Sequence, residues 1–166
     1  MKYGLIVSLL LWVALPVYAA GPVPMAPSIR LMLDGKPGDV LDQKLMASLP
    51  RVTVNAAEPG EKPSTWQGVA LQDVVRRTCV ASDAALWGRA MARFIRVTGA
   101  DGYQVVFGAA ELDPDFGNVR AILADTRDGE ALTQDGPYRL IVPGDKRAGR
   151  WVSHVTSIEV MDAWGP

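Results

Sequence analysis

Three patterns of apolar and polar residues follow one another along the chain. Gly4 to Val17 is almost continuously apolar, and Gly21 to Pro27 is a proline-rich lead that reads as extended backbone. Beyond it the apolar runs are short and change period. Ile29-Arg30-Leu31-Met32-Leu33 alternates like a strand and stops at Asp34-Gly35, a tight-turn pair. Leu41, Leu45 and Leu49 stand at helical spacing, and Pro50 ends that helix. Arg51 to Asn55 reads as a strand, and Val69 to Val80 as an amphipathic helix with Leu71, Val74, Val75 and Cys79 inward. Ala92 to Thr98 and Tyr103 to Phe107 make a hairpin across Asp101-Gly102, and Ala109 to Leu112 forms a helical turn before Asp113-Pro114. Strands then follow at Val119 to Ala124, Tyr138 to Val142 and His154 to Met161, with a turn at Arg127-Asp128-Gly129.

Many short strands with two or three short helices predict an α+β chain, a mixed β core in a single domain. The expected organisation is residues 1–19 as a signal peptide, 20–28 as the proline-rich lead and 29–162 as the domain. Lys2 before the apolar run and Val17-Tyr18-Ala19 after it fit a secretory signal cleaved after Ala19. The run is shorter than the about 20 residues a spanning helix needs, so a soluble, exported, periplasmic protein is expected, with no membrane span in the mature chain.

Charge narrows the partners. The 17 Lys+Arg and 18 Asp+Glu give a formal net charge of −1, without the basic excess of a nucleic-acid binder. One cysteine makes no internal disulfide, and one histidine, His154, makes no His-rich metal site. No G-x-S-x-G or H-E-x-x-H motif is present, so no nucleophile–base pair is suggested.

Two segments are less generic. Thr65-Trp66-Gln67-Gly68-Val69-Ala70-Leu71-Gln72-Asp73-Val74-Val75 comes first. Gly136-Pro137-Tyr138-Arg139-Leu140-Ile141-Val142-Pro143-Gly144 follows, with Arg150-Trp151-Val152 and Ile158-Glu159-Val160 after it. Together they resemble the molybdopterin-binding domain of the sulfite oxidase family, over roughly Ile29 to Val160. That resemblance implies the family's fold, and Trp66, which follows Pro63-Ser64-Thr65 and precedes Gly68, reads as standing partly exposed at a loop edge. The resemblance also implies site roles for Arg139 and Arg150, at positions that meet the cofactor's phosphate tail in that family. The pattern is broken at the metal. The family places a cysteine thiolate after the strand that precedes the W-x-G motif, and here that stretch is Val52-Thr53-Val54-Asn55-Ala56-Ala57-Glu58. Soft thiolate is the ligand type that metal takes, so molybdenum is not expected. Cys79 lies further on, in the predicted helix, and reads as a buried core thiol.

What remains is a place for the organic half of such a cofactor. A pterin is held by stacking on aromatic or guanidinium faces and by polar groups along its edge. The expected pterin-binding residues are Arg139, Arg150, Trp151, Lys146, Asp145, Tyr103 and Trp66, with no catalytic and no metal-binding residue. Asp145 is the carboxylate placed to meet the ring's N–H edge, and Tyr103 stands at a sheet end. The resemblance is to the small periplasmic pterin-binding members lacking the metal-ligand cysteine. It implies a non-catalytic protein presenting a reduced pterin to the periplasmic region of a membrane-bound diguanylate cyclase or phosphodiesterase. The alternative is a molybdopterin-dependent oxidoreductase subunit with an atypical metal site. Met1-Lys2-Tyr3 lacks the arginine pair of the folded-export route, which favours the first.

Overall fold

The computed structural model describes residues 27–78 and 86–164; the expected signal peptide, most of the proline-rich lead and Cys79 lie outside them. In chain order the elements are β1 (Ile29–Leu33), β2 (Lys36–Leu41), α1 (Gln43–Ser48), β3 (Arg51–Ala56), β4 (Ser64–Ala70) and α2 (Leu71–Thr78). A 3₁₀ turn at Gly88–Ala92 leads into β5 (Arg93–Gly99), β6 (Gln104–Gly108) and α3 (Ala109–Leu112). Then come β7 (Ile122–Arg127), β8 (Glu130–Ala131), β9 (Arg139–Ile141), a 3₁₀ turn at Ala148–Arg150 and β10 (Val155–Asp162).

The strands form two sheets, β2-β1-β10-β5-β6 and β3-β4-β7-β8, with β9 paired to β7. In the first sheet alternation decides which face is buried. Leu31, Ile158, Val97 and Val105 lie side by side in one row, and Leu33, Val160, Ile95 and Phe107 in another. Such apolar cross-strand rows are what stabilise a sheet. On the opposite face Glu159 is buried and ion-paired with Arg96, and it also accepts the Gly35 N–H at 2.8 Å. The hairpin at Asp34-Gly35 is made by left-handed backbone at both residues, φ 47° and 75°, which matches the predicted turn.

The second sheet carries the W-x-G segment, and here the sequence reading needs correction. Ser64 to Ala70 is a strand, not the start of a helix; Val69 and Ala70 complete β4, and α2 begins at Leu71. The alternation Ser64, Trp66, Gly68 supplies the buried side of β4. Gly68 is there because the chains touch. A methyl group on it would sit 2.0 Å from the Leu123 carbonyl oxygen of β7, at a register shift between Gln67 and Gly68. Trp66 is only 1% exposed, so its expected place at an open loop edge is also corrected. Its indole N–H donates to the Ala56 carbonyl at 3.2 Å, which lets the ring be buried without an orphaned donor.

Two further elements differ from the expectation. β2, with Pro37 and Gly38 inside it, is an edge strand of the first sheet, a position that tolerates such residues. α1 starts at Gln43 because Asp42 caps it, accepting the Leu45 N–H at 2.8 Å. One cluster of buried residues draws on both sheets and on Leu71 and Val74 of α2. No helix among the described residues is long and apolar enough to cross a membrane.

Candidate functional site

The second sheet ends on one side at β3, whose outer edge has no partner strand among the described residues. Thr53, Val54 and Asn55 of that edge form one wall of a cleft of about 610 Å³. The facing wall is the stretch Gly117 to Arg120 before β7, and Pro143, Gly144, Asp145 and Arg150 close the end. The 117–120 stretch is shaped by backbone bonds, with Gly117 N–H on the Ala110 carbonyl at 2.9 Å and Val119 N–H on the Glu111 carbonyl at 2.7 Å. A second concavity of about 320 Å³ shares Thr53, Val54, Asn118, Val119 and Arg120 with the first. It runs towards Ala70 and Gln72 over Leu112, Ala121 and Ile122.

Arg150 dominates the closed end. Its Nε and Nη2 donate to the two Asp145 oxygens at 2.8 and 2.6 Å, its Nη1 reaches Glu111 at 3.3 Å, and its guanidinium lies 4.8 Å from the Phe107 ring centre. The hydrogen bonds from Arg150 hold the Asp145 carboxyl below the usual carboxylate range, and Asp145 in turn holds the guanidinium more firmly protonated. A fork of this kind keeps both groups charged and fixed in direction. Tyr103, 48% exposed, donates its hydroxyl to the Gly149 carbonyl at 2.6 Å and so ties the β6 hairpin to the same loop. Lys146 is exposed in that loop.

Arg139 is held elsewhere, behind the sheet edge. Its side chain is 8% exposed, and its Nη1 reaches Glu58 at 2.8 Å and Asp135 at 3.0 Å. The guanidinium lies 5.4 Å from the Trp66 ring centre and 5.6 Å from that of Trp151, and the two indoles meet edge to face at 5.7 Å. A buried charge needs such partners, yet Arg139 Nε is buried without one. The seven residues expected to bind pterin are thus divided. Asp145 and Arg150 line the cleft, Tyr103 and Lys146 flank it, and Arg139, Trp66 and Trp151 make a cluster of their own. The cleft also contains a cation that the sequence reading missed. Arg120 is exposed there, and no hydrogen bond or ion pair is seen for it among the described residues. Only its charge inside the run Val119-Arg120-Ala121-Ile122-Leu123 marks it, and that pattern reads as ordinary strand.

The model of the oxidoreductase molybdopterin-binding domain matches residues 42–165. The chain belongs to that family. Among solved structures it is similar to the sulfane dehydrogenase SoxCD from Paracoccus pantotrophus, with a TM-score of 0.59 and 22% identity over 81% of this chain. The likeness supports the molybdopterin-binding fold, and the chain spans only 38% of the SoxCD chain it matches. A comparison with curated proteins finds no match.

Two halves of the family's cofactor fare differently against this donor set. At the end of β3 and directly after it the chain offers Asn55, Ala56, Ala57 and Glu58. The Ala56 carbonyl is taken by Trp66 and the Glu58 carboxylate by Arg139. That stretch supplies no thiolate, so it does not suit a thiolate-held metal. A flat polar heterocycle fits better, since the cleft volume lies within the about 300–1,000 Å³ of small-molecule sites and combines cations with apolar walls.

Proposed function

We propose that this chain is a non-catalytic binding module for a reduced pterin. The cleft between the β3 edge and Arg150 is where the ligand lies. The observation that carries the reading is the pairing of this cleft with the missing thiolate. Arg120 and the Arg150–Asp145 fork offer directed polar contacts, while the stretch after β3 gives a metal no sulfur to bind. Arg139, Trp66 and Trp151 support the site from behind by fixing the sheet beneath it.

Family membership supports a pterin-type ligand, and the export signal read at residues 1–19 supports a periplasmic setting. In that setting the loaded module would be read by the periplasmic region of an inner-membrane signalling protein of the diguanylate cyclase or phosphodiesterase type. Such a partner responds only if it prefers one of the two forms, loaded or empty. SoxCD is named as a sulfane dehydrogenase, and the family description is that of an oxidoreductase, so the rival is a subunit that keeps metal through another donor.

Protein isolated from its native compartment decides between them. Small molecules released from it, oxidised and separated by chromatography with fluorescence detection, should contain a pterin near one per chain. Elemental analysis of the same sample should show no stoichiometric molybdenum. A chain that binds no pterin at high micromolar concentration, or that carries one molybdenum, would sink the reading.

A further inference from the structure

We propose that the pterin ring lies in the smaller concavity beside Gln72, and that the larger one takes the polar substituent on the ring. This rests on the pterin reading above and adds the direction in which the ligand lies. The two concavities form one bent trough, with Asn118 and Arg120 at the junction. Their walls differ in chemistry. The smaller has a floor of Leu112, Ala121 and Ile122, all buried, with Val52 and Ala70 at its sides. The larger ends on Asn55, Asp145 and Arg150.

A pterin has the matching division. Its two ring faces are weakly polar and are best desolvated between apolar side chains, while hydrogen bonding is confined to the ring edge. Gln72 stands where that edge would arrive. Its neighbours assign the amide orientation: with the nitrogen donating to the Leu112 carbonyl (3.3 Å) and the oxygen accepting from Arg76 (3.0 Å), the only arrangement that satisfies both, the amide keeps one N–H and one lone pair unused. That pair complements the adjacent C=O and N–H of an amino-pyrimidinone. A ring at the other end would instead face Asp145, a carboxylate forked by Arg150 that can accept from the ring N–H but has no donor for the adjacent C=O. A hydroxylated or anionic substituent at that end meets Arg120 and the outer side of the Arg150 fork.

Two probes separate ring from substituent: unsubstituted pterin, and pterin bearing a carboxylate at C6. Ala70→Leu narrows the smaller chamber, and it should weaken binding of both probes by about tenfold or more, the usual scale for overfilling a packed site. Arg150→Ala should weaken only the carboxylate-bearing probe. On the wild-type sequence, with only leucine and isoleucine methyl groups protonated, saturating those methyl groups by NMR should transfer magnetisation to C6–H and C7–H of unsubstituted pterin, because Leu112 and Ile122 line the smaller chamber and no leucine or isoleucine lines the larger. Undiminished binding of unsubstituted pterin by an A70L chain that melts like wild type overturns the placement, as does the absence of that transfer to a bound probe, and both leave the pterin reading standing. A wild-type chain that binds neither probe overturns both.

Discussion

Arg150 shows how one side chain can matter to a ligand and little to the fold. Its ion pairs with Asp145 and Glu111 are partly exposed, and pairs of that kind contribute only about 0–1 kcal/mol. Arg150→Ala should therefore leave the urea midpoint close to wild type while affinity for a C6-substituted pterin falls, as titration calorimetry would show. A large loss of stability would instead make Arg150 a structural residue. Asp145 adds a pH signature. Its carboxyl is held low by hydrogen bonds from Arg150, so the folded form binds protons less readily than the unfolded one. The stability this provides is complete above the ordinary carboxylate value of about 4 and is lost as pH falls through the lower folded value. Urea denaturation of wild type and Asp145→Asn at a series of pH values should give a gap that is constant near neutrality and closes in acid. A gap that widens with acidification would contradict the sign of this linkage.

At the scale of elements, β4 explains the most. Gly68 lets the β4 and β7 backbones approach until no Cβ fits between them. Gly68→Ala should cost about 3 kcal/mol, at the upper end for overpacking, read as a lowered denaturation midpoint. A near-neutral G68A would mean the two strands can part at little cost. This strand also shows where sequence reading fails. β1, β3, the β5–β6 hairpin, β9 and β10 were legible because alternation and turn residues agreed. β4 was not, since Leu71, Val74 and Val75 set a helical period in α2, and the apolar Val69 just before them reads as the first turn of that helix. β2 was hidden because Pro37 and Gly38 argue for a loop, and only an edge position makes room for them. The site divided in the same way. The motif and the charged loop beside it set Arg150 and Asp145 close together, but nothing local says that Arg139 turns towards Glu58 and Asp135, or that Arg120 stands at the cleft with no ion pair among the described residues. Those are facts of sheet packing, decided by residues far apart in the chain.

For the whole molecule, the cleft and the fold are coupled by mass action. A ligand that binds only the folded form adds about 2.7 kcal/mol at a free concentration a hundred times its Kd. Unsubstituted pterin at that excess should raise the melting temperature, and a metal salt alone should not. A pterin that shifts nothing, at a concentration where calorimetry shows saturation, would imply that it also binds the unfolded chain.

The place of β10 has a consequence for how the molecule comes into being. The last of the described strands in chain order is the middle strand of its sheet, between β1 on one side and β5 on the other. Until it arrives, β1 has only β2 beside it, and an isolated two-stranded ribbon is marginal in water. The first sheet therefore cannot close until β10 has been made, whereas the second sheet, β3-β4-β7-β8 with β9, does not depend on it. The β1–β2 and β5–β6 hairpins become one sheet only when β10 enters between them.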